Sequence, residues 1–448
     1  MVFKGWLRET LRQVRGSYWF IPSFMAVAAL LLSQLTLYMD RSIGSDWIDY
    51  WEFLYATRPD GARAILSTIA GSMIGVAGVT FSITIAAVAY ASGQFGPRII
   101  DNFMEDRGNQ ITLGTFISTF LYCLLVLRTV RGSDEGTGFV PYGSMALAVG
   151  LALASLGVLI YFIHHIPESI HVYHVVADIG DQLEKQVDRL FPEDSPEEGS
   201  VSELPALDKP TYILRAPSSG YIQTIEYDTL ISRAAQDAAL VKLDVEPGAF
   251  VARSMILGRV YGGEDPKSQK FEATFLIGRE RSPTQDIRFL INKLIDIAAR
   301  ALSPGVNDPF TAMSCIDWLS AVFVRMGQRS ALSTFRADET GRIVLVAPQV
   351  DFESLLFECW DKLRPYVSQD GNVTFHMLES ALSMMNALPP KRALSVNYAA
   401  QRLIESSVEV LTHPRDRDKL KELRLALQEA SGTEAWQRKA RQETLNEG

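Results

Sequence analysis

The chain of 448 residues has few of the side chains that usually carry metals or form disulfides: three cysteines and six histidines. Cys123, Cys315 and Cys359 have no spacing typical of metal ligands, and Cys123 lies in an apolar stretch. Neither a disulfide framework nor a zinc site follows from this pattern. A basic excess is also missing, because the formal net charge is -9. An acidic chain lacks the face that phosphate contacts require, so nucleic acid is not an expected partner.

Charged residues are missing from the interiors of four long apolar stretches, at residues 18–39, 62–92, 111–130 and 144–166; Arg63 and Arg128 lie near the ends of two of them. Each stretch is close to or longer than the ~20 residues that cross a bilayer core. A charge at the bilayer centre costs about 2.5–3.5 kcal/mol on insertion scales, so this absence favours lipid contact. The sequence predicts four transmembrane helices, with the lipid bilayer as a partner.

The charges that flank these stretches predict the topology. The segment before the first stretch is basic, with Lys4, Arg8, Arg12 and Arg15 against Glu9, whereas the following loop is mainly acidic. Because basic flanks stay on the cytoplasmic side, we expect an inner-membrane protein with both termini in the cytoplasm. Residues up to Ile166 include 11 basic and 11 acidic side chains, so the net negative charge belongs to the part that follows.

The loop after the first stretch is rich in aromatic residues. Trp47, Trp51 and Leu54 share one face of a helix, and acidic side chains lie on the others. This arrangement predicts a short helix at the membrane surface, where aromatic rings form an interfacial belt.

The second apolar stretch carries a stripe of small residues with alternating spacings of four and three. Its members are Ser67, Gly71, Gly75, Gly78, Ser82, Ala86, Ala89 and Gly93, and they include a GxxxG motif. Small residues allow helices to approach closely in lipid, so one interpretation is a central packing helix. The alternative is the lining of a pathway for an ion or small solute. No carboxylate within the stretch indicates an ion route.

Four of the six histidines lie within residues 164–174, beside Pro167, which we expect to kink or restart the helix. If the helix resumes, a set of polar residues falls near one face and forms a candidate pH-sensitive or metal-binding cluster. A simpler interpretation is that these histidines cap and pack beneath the membrane. The cluster contains His164, Glu168, His171, His174 and Asp178.

The remaining chain predicts an α+β part on the cytoplasmic side. A helix and polar linker (181–210) precede short strands in a small β domain (211–265), which has phrases similar to the halves of a barrel-sandwich fold. Lys242 lies within a strand and not on a hairpin, so we expect an assembly module without a cofactor. A mainly helical domain (283–432) and a polar tail (433–448) follow the four-helix membrane domain (1–180) and the β domain.

The helical domain begins with an apolar stripe and a break at residues 301–312. Ser-Pro-Gly at residues 303–305 predicts a turn, Asp308 a helix N-cap and Pro309 the first helical position. A structural turn explains this segment. Alternatively, several polar side chains converge as a site, and the candidates are Asp286, Arg300, Asn307, Asp308 and Thr311. Further helices are predicted at 353–366, 373–387, 391–411 and 415–429, with a strand pair at 335–346.

Several phrases of this sequence resemble the DUF2254 family of bacterial predicted membrane proteins. They are Gln-Asp at 285–286, Leu-Ile-Asp-Ile-Ala at 294–298, the run from Arg300 to Ala312, Gln-Phe-Gly-Pro-Arg at 94–98 and Leu-Gly-Thr-Phe at 113–116. The resemblance covers nearly the whole chain. It implies a four-span membrane protein, and it transfers no catalytic residues.

Two classes of function fit these patterns. The first is an oligomeric channel or transporter-like protein, in which small-residue helices meet and the cytoplasmic part assembles and gates them. The second is an envelope scaffold or signalling protein, whose spans anchor a partner-binding domain. An enzyme is not expected, because the sequence contains no Ser-His-Asp set, P-loop, Rossmann fingerprint or metal motif.

Overall fold

The computed structural model describes residues 17–43, 59–96, 103, 106–131, 139–192, 209–264, 270–330 and 333–432. The chain forms two compact units, of which one ends at His171 and the other begins at Val172. We call them the membrane unit and the C-terminal unit. The predicted surface helix around Trp47 and Trp51 lies outside the described residues. So do most of the linker before residue 209 and the tail after residue 432.

In the described part of the membrane unit, four helices are each long and apolar enough to cross a membrane. This confirms the prediction of four candidate spans. Helix α2 is longer than the others: its 37 residues extend for about 56 Å at 1.5 Å per residue, well beyond a hydrocarbon core of ~30 Å. The helices are α1 (Phe20–Ile43), α2 (Pro59–Phe95), α3 (Arg107–Leu127) and α4 (Tyr142–Ile170).

Helix α3 is the centre of this unit, because its contacts with the other three spans are the most extensive in the unit. Two glycines allow the close approach. A Cβ atom at Gly114 would collide with Met25 of α1, and one at Gly108 would collide with His165 and Tyr161 of α4. Small residues bring helices together in lipid, where dispersion between closely packed side chains drives association. The bundle is therefore assembled around α3.

The helix break near Pro167 lies later in the chain than the sequence predicts. Helix α4 passes through Pro167 and ends at Ile170, where His171 is extended with φ -65° and ψ 122°. A proline removes one hydrogen bond to the preceding turn but does not stop a helix that is otherwise well formed. The next helix, α5 (Val172–Leu190), begins the C-terminal unit.

In the described residues after α5, the chain forms one mixed sheet, one antiparallel sheet and a short α-helix between two of the strands. The strands are β1 (Tyr212–Arg215), β2 (Gly220–Ile225), β3 (Ala239–Leu243), β4 (Phe250–Val251), β5 (Ile256–Gly262) and β6 (Phe275–Gly278), with α6 (Tyr227–Gln236) between β2 and β3. The prediction of short strands in this segment is confirmed. The sequence analysis did not predict α6 or β6.

The larger sheet extends beyond the predicted β domain. Its order is β1-β5-β3-β8-β7, in which β7 (Phe335–Ala337) and β8 (Ile343–Val346) come from the helical part of the sequence. Strand β8 pairs with β3 in parallel, through Val241 opposite Leu345. The smaller sheet has the order β4-β2-β6. Residues 211–265 thus share a sheet and an apolar core with Val344 and Leu345.

The helical part contains α7 (Ile287–Ala301), α8 (Pro309–Gly327), α9 (Phe352–Val367), α10 (Gly371–Ala387), α11 (Pro390–Val410) and α12 (Pro414–Gly432). The helices predicted for this segment and the strand pair at 335–346 are confirmed. An aspartate side chain caps each of the first four and accepts a hydrogen bond from the third helical N–H. Such caps satisfy N–H groups that have no partner within a helix.

Candidate functional site

The small-residue stripe of α2 lies on the surface of the membrane unit. All eight of its members are exposed over the length of the helix. No described atom lies within 4 Å of the Cβ position at Gly71, Gly75, Gly78 or Gly93. The hydroxyl of Ser82 donates to the Gly78 carbonyl at 2.8 Å. The stripe is a narrow exposed surface, an open track, formed by backbone atoms and small side chains along one face of α2.

The opposite face of α2 packs against α3 and α4. Arg63 donates from Nη2 to the Val130 carbonyl at 3.1 Å, which joins one end of α2 to the end of α3. Thr80 and Thr84 are buried, and each donates its hydroxyl to the preceding turn of α2. The buried residues of this face are Ala62, Leu66, Ala70, Ala77, Thr80, Thr84, Ala87 and Ala91.

The glycines of α2 differ from those of α3 in what they contact. Gly108 and Gly114 are explained by packing within the protomer, whereas no helix among the described residues fills the space beside the α2 glycines. A second open track lies on α4, where Gly150, Ala154 and Gly157 are exposed. No described atom lies within 4 Å of the Cβ position at either glycine. This shorter stripe is not among the sequence predictions, although its three residues are spaced by four and three positions in the sequence.

One end of the membrane bundle is held by a carboxylate. Asp40, in the last turn of α1, accepts hydrogen bonds from the backbone N–H groups of Gly143 at 3.0 Å and Ser144 at 2.9 Å. The Ser144 hydroxyl donates to the same carboxylate at 2.6 Å. The Tyr122 hydroxyl donates to the Ser144 carbonyl and contacts the hydroxyl of Thr36 at 2.9 Å. An acidic side chain at a helix N-terminus is favourable, so Asp40 fixes α1 against the start of α4.

The other end of the bundle carries a second carboxylate. Asp106 caps α3 by accepting a hydrogen bond from the Gly108 N–H at 2.7 Å. Its other oxygen lies 2.7 Å from Nε2 of His165, whose ring stacks on Tyr161. The buried side chains Asn109 and Thr112 follow on one face of α3, and their Oδ1 and Oγ1 atoms have no hydrogen-bond partner among the described residues. Asp106 is not among the residues predicted from the sequence. The feature that could have indicated it is its position three residues before a polar run.

The five residues of the predicted histidine cluster are exposed and fall on both sides of the boundary between the units. His164 and Glu168 lie on α4, His171 lies in the break, and His174 and Asp178 lie on α5. Within the described segments no three histidine, cysteine or acidic side chains are placed to hold a metal ion. Metal binding by this cluster stays a prediction, as does its role as a pH-sensitive hinge.

In the C-terminal unit, Asp286 lies apart from the other predicted polar residues. It caps the start of α7, whereas Arg300 lies in the last turn of the same helix, about 21 Å away along the axis. Asp286 is buried and pairs with Nη2 of Arg281 at 2.6 Å. Burial raises the pKa of the Asp286 carboxyl, although Arg281 opposes this shift. Gly248 adopts φ +87°, and a Cβ there would collide with this carboxylate.

A charged network lies beside Asp286, and it was not predicted. Arg288 pairs with Glu246 at 2.6 Å and with Glu358 at 3.1 Å. Lys362 donates to Glu358 at 2.6 Å and to the side-chain Oδ1 of Asn292 at 2.8 Å. The burial of Glu358 opposes ionisation, but its bonds to Lys362 and Arg288 lower its pKa. The network joins the segment before β4 to α7 and α9. Because its residues are far apart in the sequence, no local sequence pattern predicts that they come together.

The remaining predicted polar residues form a compact turn between α7 and α8. Asp308 accepts hydrogen bonds from the Thr311 N–H at 3.2 Å and the Thr311 hydroxyl at 2.6 Å. Asn307, at φ +51°, donates its N–H to the Ser303 carbonyl at 3.0 Å. The Asp308 N–H donates to the Ala301 carbonyl at 2.8 Å. The predicted N-cap is confirmed, and the turn satisfies most of its own polar groups.

A sequence comparison relates this architecture to known proteins. The sequence profile of a family described as "Predicted membrane protein (DUF2254)" matches residues 15–383. The chain belongs to the DUF2254 family. The match runs through the four candidate spans and both sheets and ends in α10. The resemblance found in the sequence motifs is confirmed.

Relatives of this DUF2254 protein occur in mycobacteria. Uncharacterized protein Rv1290c of Mycobacterium tuberculosis H37Rv is 30% identical over 421 residues, which cover 92% of this chain and 80% of the relative. Uncharacterized protein Mb1321c of Mycobacterium bovis matches over the same shares, also at 30% identity. No solved structure matches the chain. These comparisons show the family.

Proposed function

We propose that this DUF2254 protein is an inner-membrane protein whose copies associate through α2 and enclose a pathway for an ion or small solute. The C-terminal unit would lie in the cytoplasm and act as an assembly and gating domain, with residues 211–265 as its barrel-sandwich-like module. The basic N-terminal segment supports this orientation, since basic flanks stay inside.

The open stripe of α2 is the observation that carries the proposal. Small residues in spanning helices usually lie where another helix approaches, because close backbones gain dispersion and hydrogen bonds in lipid. Within the protomer, Gly71, Gly75 and Gly78 have no such neighbour among the described residues. A second copy is therefore the natural source of the missing helix.

The two open stripes also favour a ring over a simple dimer. A contact in which α2 of one copy meets the α4 stripe of the next joins two different surfaces. Such head-to-tail contacts generate closed rings when the rotation between copies is suitable. The Gly150, Ala154 and Gly157 stripe is shorter than that of α2, so part of α2 would remain free to face the axis of the ring.

The composition of α2 suits a pathway that is polar without being charged. Ser67 and Ser82 are exposed on the stripe. The Ser82 hydroxyl is already donated to Gly78, so its oxygen is oriented to accept a hydrogen bond from water or a solute. No acidic or basic side chain lies on the stripe between Ser67 and Gly93. Such a lining favours passage of a hydrated species over tight binding.

The test is a flux measurement with the purified protein in liposomes, using a panel of ions and small neutral solutes. We expect wild-type protein to conduct and Ser82→Leu to abolish flux while the oligomer stays intact. Val79→Leu is the matched control, because Val79 is exposed beside the stripe. An intact oligomer with no flux for any solute across the pH range would overturn the pathway and favour the scaffold or signalling class.

A further inference from the structure

Two buried polar side chains of α3 have oxygen atoms that lack partners among the described residues. Asn109 is 2% exposed and Thr112 is 1% exposed, and the atoms concerned are Oδ1 of Asn109 and Oγ1 of Thr112. Other threonines of the spans differ, because Thr80 and Thr115 donate their hydroxyls to carbonyls of the preceding turn. An unpaired buried oxygen costs free energy, above all in apolar surroundings. Both atoms therefore require a partner that the described part of the chain does not supply.

Asn109 lies at about the level of Thr84, a buried threonine of α2. The Arg63 side chain donates to the Val130 carbonyl, which joins the start of α2 to the end of α3. Because the two helices pack extensively from this point, they run in opposite directions. Asn109 lies 21 positions before Val130, and Thr84 lies 21 positions after Arg63, so the equal rise of both helices brings Asn109 and Thr84 to one level. The Thr84 hydroxyl donates to the Thr80 carbonyl at 2.9 Å, and its oxygen keeps lone pairs for another group.

The Asp106 carboxylate lies beside the same part of α2. Thr84 is a hydrogen-bond partner of the Tyr18 hydroxyl, and the charge of Asp106 acts on that hydroxyl as well. Asp106 also lies three positions before Asn109, within one turn of α3. Among the described residues, the basic side chain within ion-pair distance of Asp106 is His165, at 2.7 Å. When this ring is neutral and donates from Nε2, the charge of the carboxylate is not compensated.

We propose that these side chains form a binding site for a monovalent cation such as Na⁺, which we call the junction site. Its oxygen ligands are Thr84, Asp106, Asn109 and Thr112. Hard cations take carboxylate, carbonyl and hydroxyl oxygens in place of their hydration shell. One carboxylate balances one positive charge, and the described residues contain no group of three histidine, cysteine or acidic side chains that could hold a metal ion of higher charge.

The junction site is independent of the proposed pathway. It uses the buried face of α2, whereas the pathway uses the exposed stripe on the opposite face. A cation bound at the junction site would hold α2 against α3 at the end of the bundle where His165 holds α4. The two oxygens without partners would then be satisfied as ligands, and the charge of Asp106 would be balanced within the bundle.

The test measures thermal unfolding of the full-length protein in detergent, in NaCl, KCl or choline chloride at equal ionic strength. A ligand that binds the folded state raises the thermal midpoint as its concentration increases, whereas choline is too large for a buried site. We expect the wild-type midpoint to be higher in Na⁺ or K⁺ than in choline, with a rise that saturates. Equal midpoints in all three salts would overturn the proposal, since water would then be the partner of the two oxygens.

Two variants test the ligands. Asp106→Asn removes the charge but keeps a side chain suited to a helix N-cap, so we expect a folded protein whose midpoint no longer responds to Na⁺ or K⁺. Thr112→Val removes the hydroxyl and keeps the shape, and the cation concentration at half effect should increase about tenfold. In choline its midpoint should not fall, because the variant lacks the unpaired oxygen.

The matched control is Thr68→Val. Thr68 lies on the same helix as Thr84, but it is exposed and its hydroxyl donates to the Ala64 carbonyl at 2.7 Å. We expect this variant to respond to Na⁺ or K⁺ as the wild type does. A cation-dependent rise that persists unchanged in Asp106→Asn or in Thr112→Val would place the cation elsewhere and overturn the junction site.

Discussion

Gly180 lies against the indole ring of Trp318, and a methyl group added at Gly180 would overlap that ring. The contact brings the backbone of α5 onto the side chain of α8. At the other end of the interface between α5 and α8, Asp188 pairs with Arg325 and Arg329. The first helix after the membrane is thus held to the helical part at two levels.

Gly180→Ala is expected to destabilise the C-terminal unit. Alanine is better than glycine in a helix by about 1 kcal/mol, but overpacking against a fixed ring costs about 1–3 kcal/mol. We expect the overlap to prevail and the thermal midpoint of the detergent-solubilised protein to fall. Trp318→Leu should restore part of the loss in the double variant. A Gly180→Ala protein at least as stable as wild type would show that the helices move apart without cost.

Oligomerisation through α2 should be sensitive to bulk at the glycines of its stripe. Gly75→Leu and Gly78→Leu place large side chains where no described atom of the protomer lies within 4 Å of the Cβ position. They leave the fold of one copy unaffected but block approach of a second. We expect the mass in mild detergent to fall to that of the monomer. Val79→Leu should keep the oligomer, and unchanged mass for both glycine variants would exclude α2 as the contact.

Asp308 should behave as a helix cap. Asn is about as good an N-cap as Asp, so Asp308→Asn should leave the thermal midpoint nearly unchanged, whereas Asp308→Ala should cost about 1 kcal/mol. The measurement is thermal unfolding in detergent, with liposome flux in parallel. An Asp308→Asn protein of normal stability and abundance that lost its function would instead place Asp308 in a site.

The sequence was sufficient for features that depend on local pattern. Hydropathy identifies the four spans, and the Asp308-Pro309 pair identifies the start of α8, because burial in lipid and helix capping act over a few residues. The parallel pairing of β3 with β8 joins residues about a hundred positions apart. No local pattern specifies that partner, so the sequence does not indicate that β7 and β8 join this sheet.

The candidate polar site shows the same limit. Asn307, Asp308 and Thr311 are close in sequence and close in space, but Asp286 lies at the far end of α7. Arg288, Glu246 and Glu358 form a network that only the packing of α7 and α9 against the sheets creates. The exposure of the α2 stripe likewise depends on which helices pack against α2. The spacing of the small residues does not show which face of α2 those helices cover.

Asp286 and Glu358 should affect stability in opposite directions as the pH changes. Burial raises the pKa of Asp286 above 3.8, so its contribution to stability is full below about pH 4 and is lost as the pH rises through the folded-state value. Burial acts the same way on Glu358, but Lys362 and Arg288 outweigh it and lower its pKa below 4.5. Its contribution is present above about pH 4.5 and is lost as the pH falls through the folded-state value.

Thermal midpoints measured from about pH 3 to 6 should reveal the two signs. Relative to wild type, Asp286→Asn should become more favourable as the pH rises, because it removes a carboxylate that is costly to ionise. Glu358→Gln should become less favourable, because it removes a carboxylate that Arg288 and Lys362 stabilise. Leu425→Ala, at an exposed position on α12 that carries no titratable group, is the control and should run parallel to wild type. Slopes of the same sign for the first two variants would mean that the Arg281 pair outweighs the burial of Asp286.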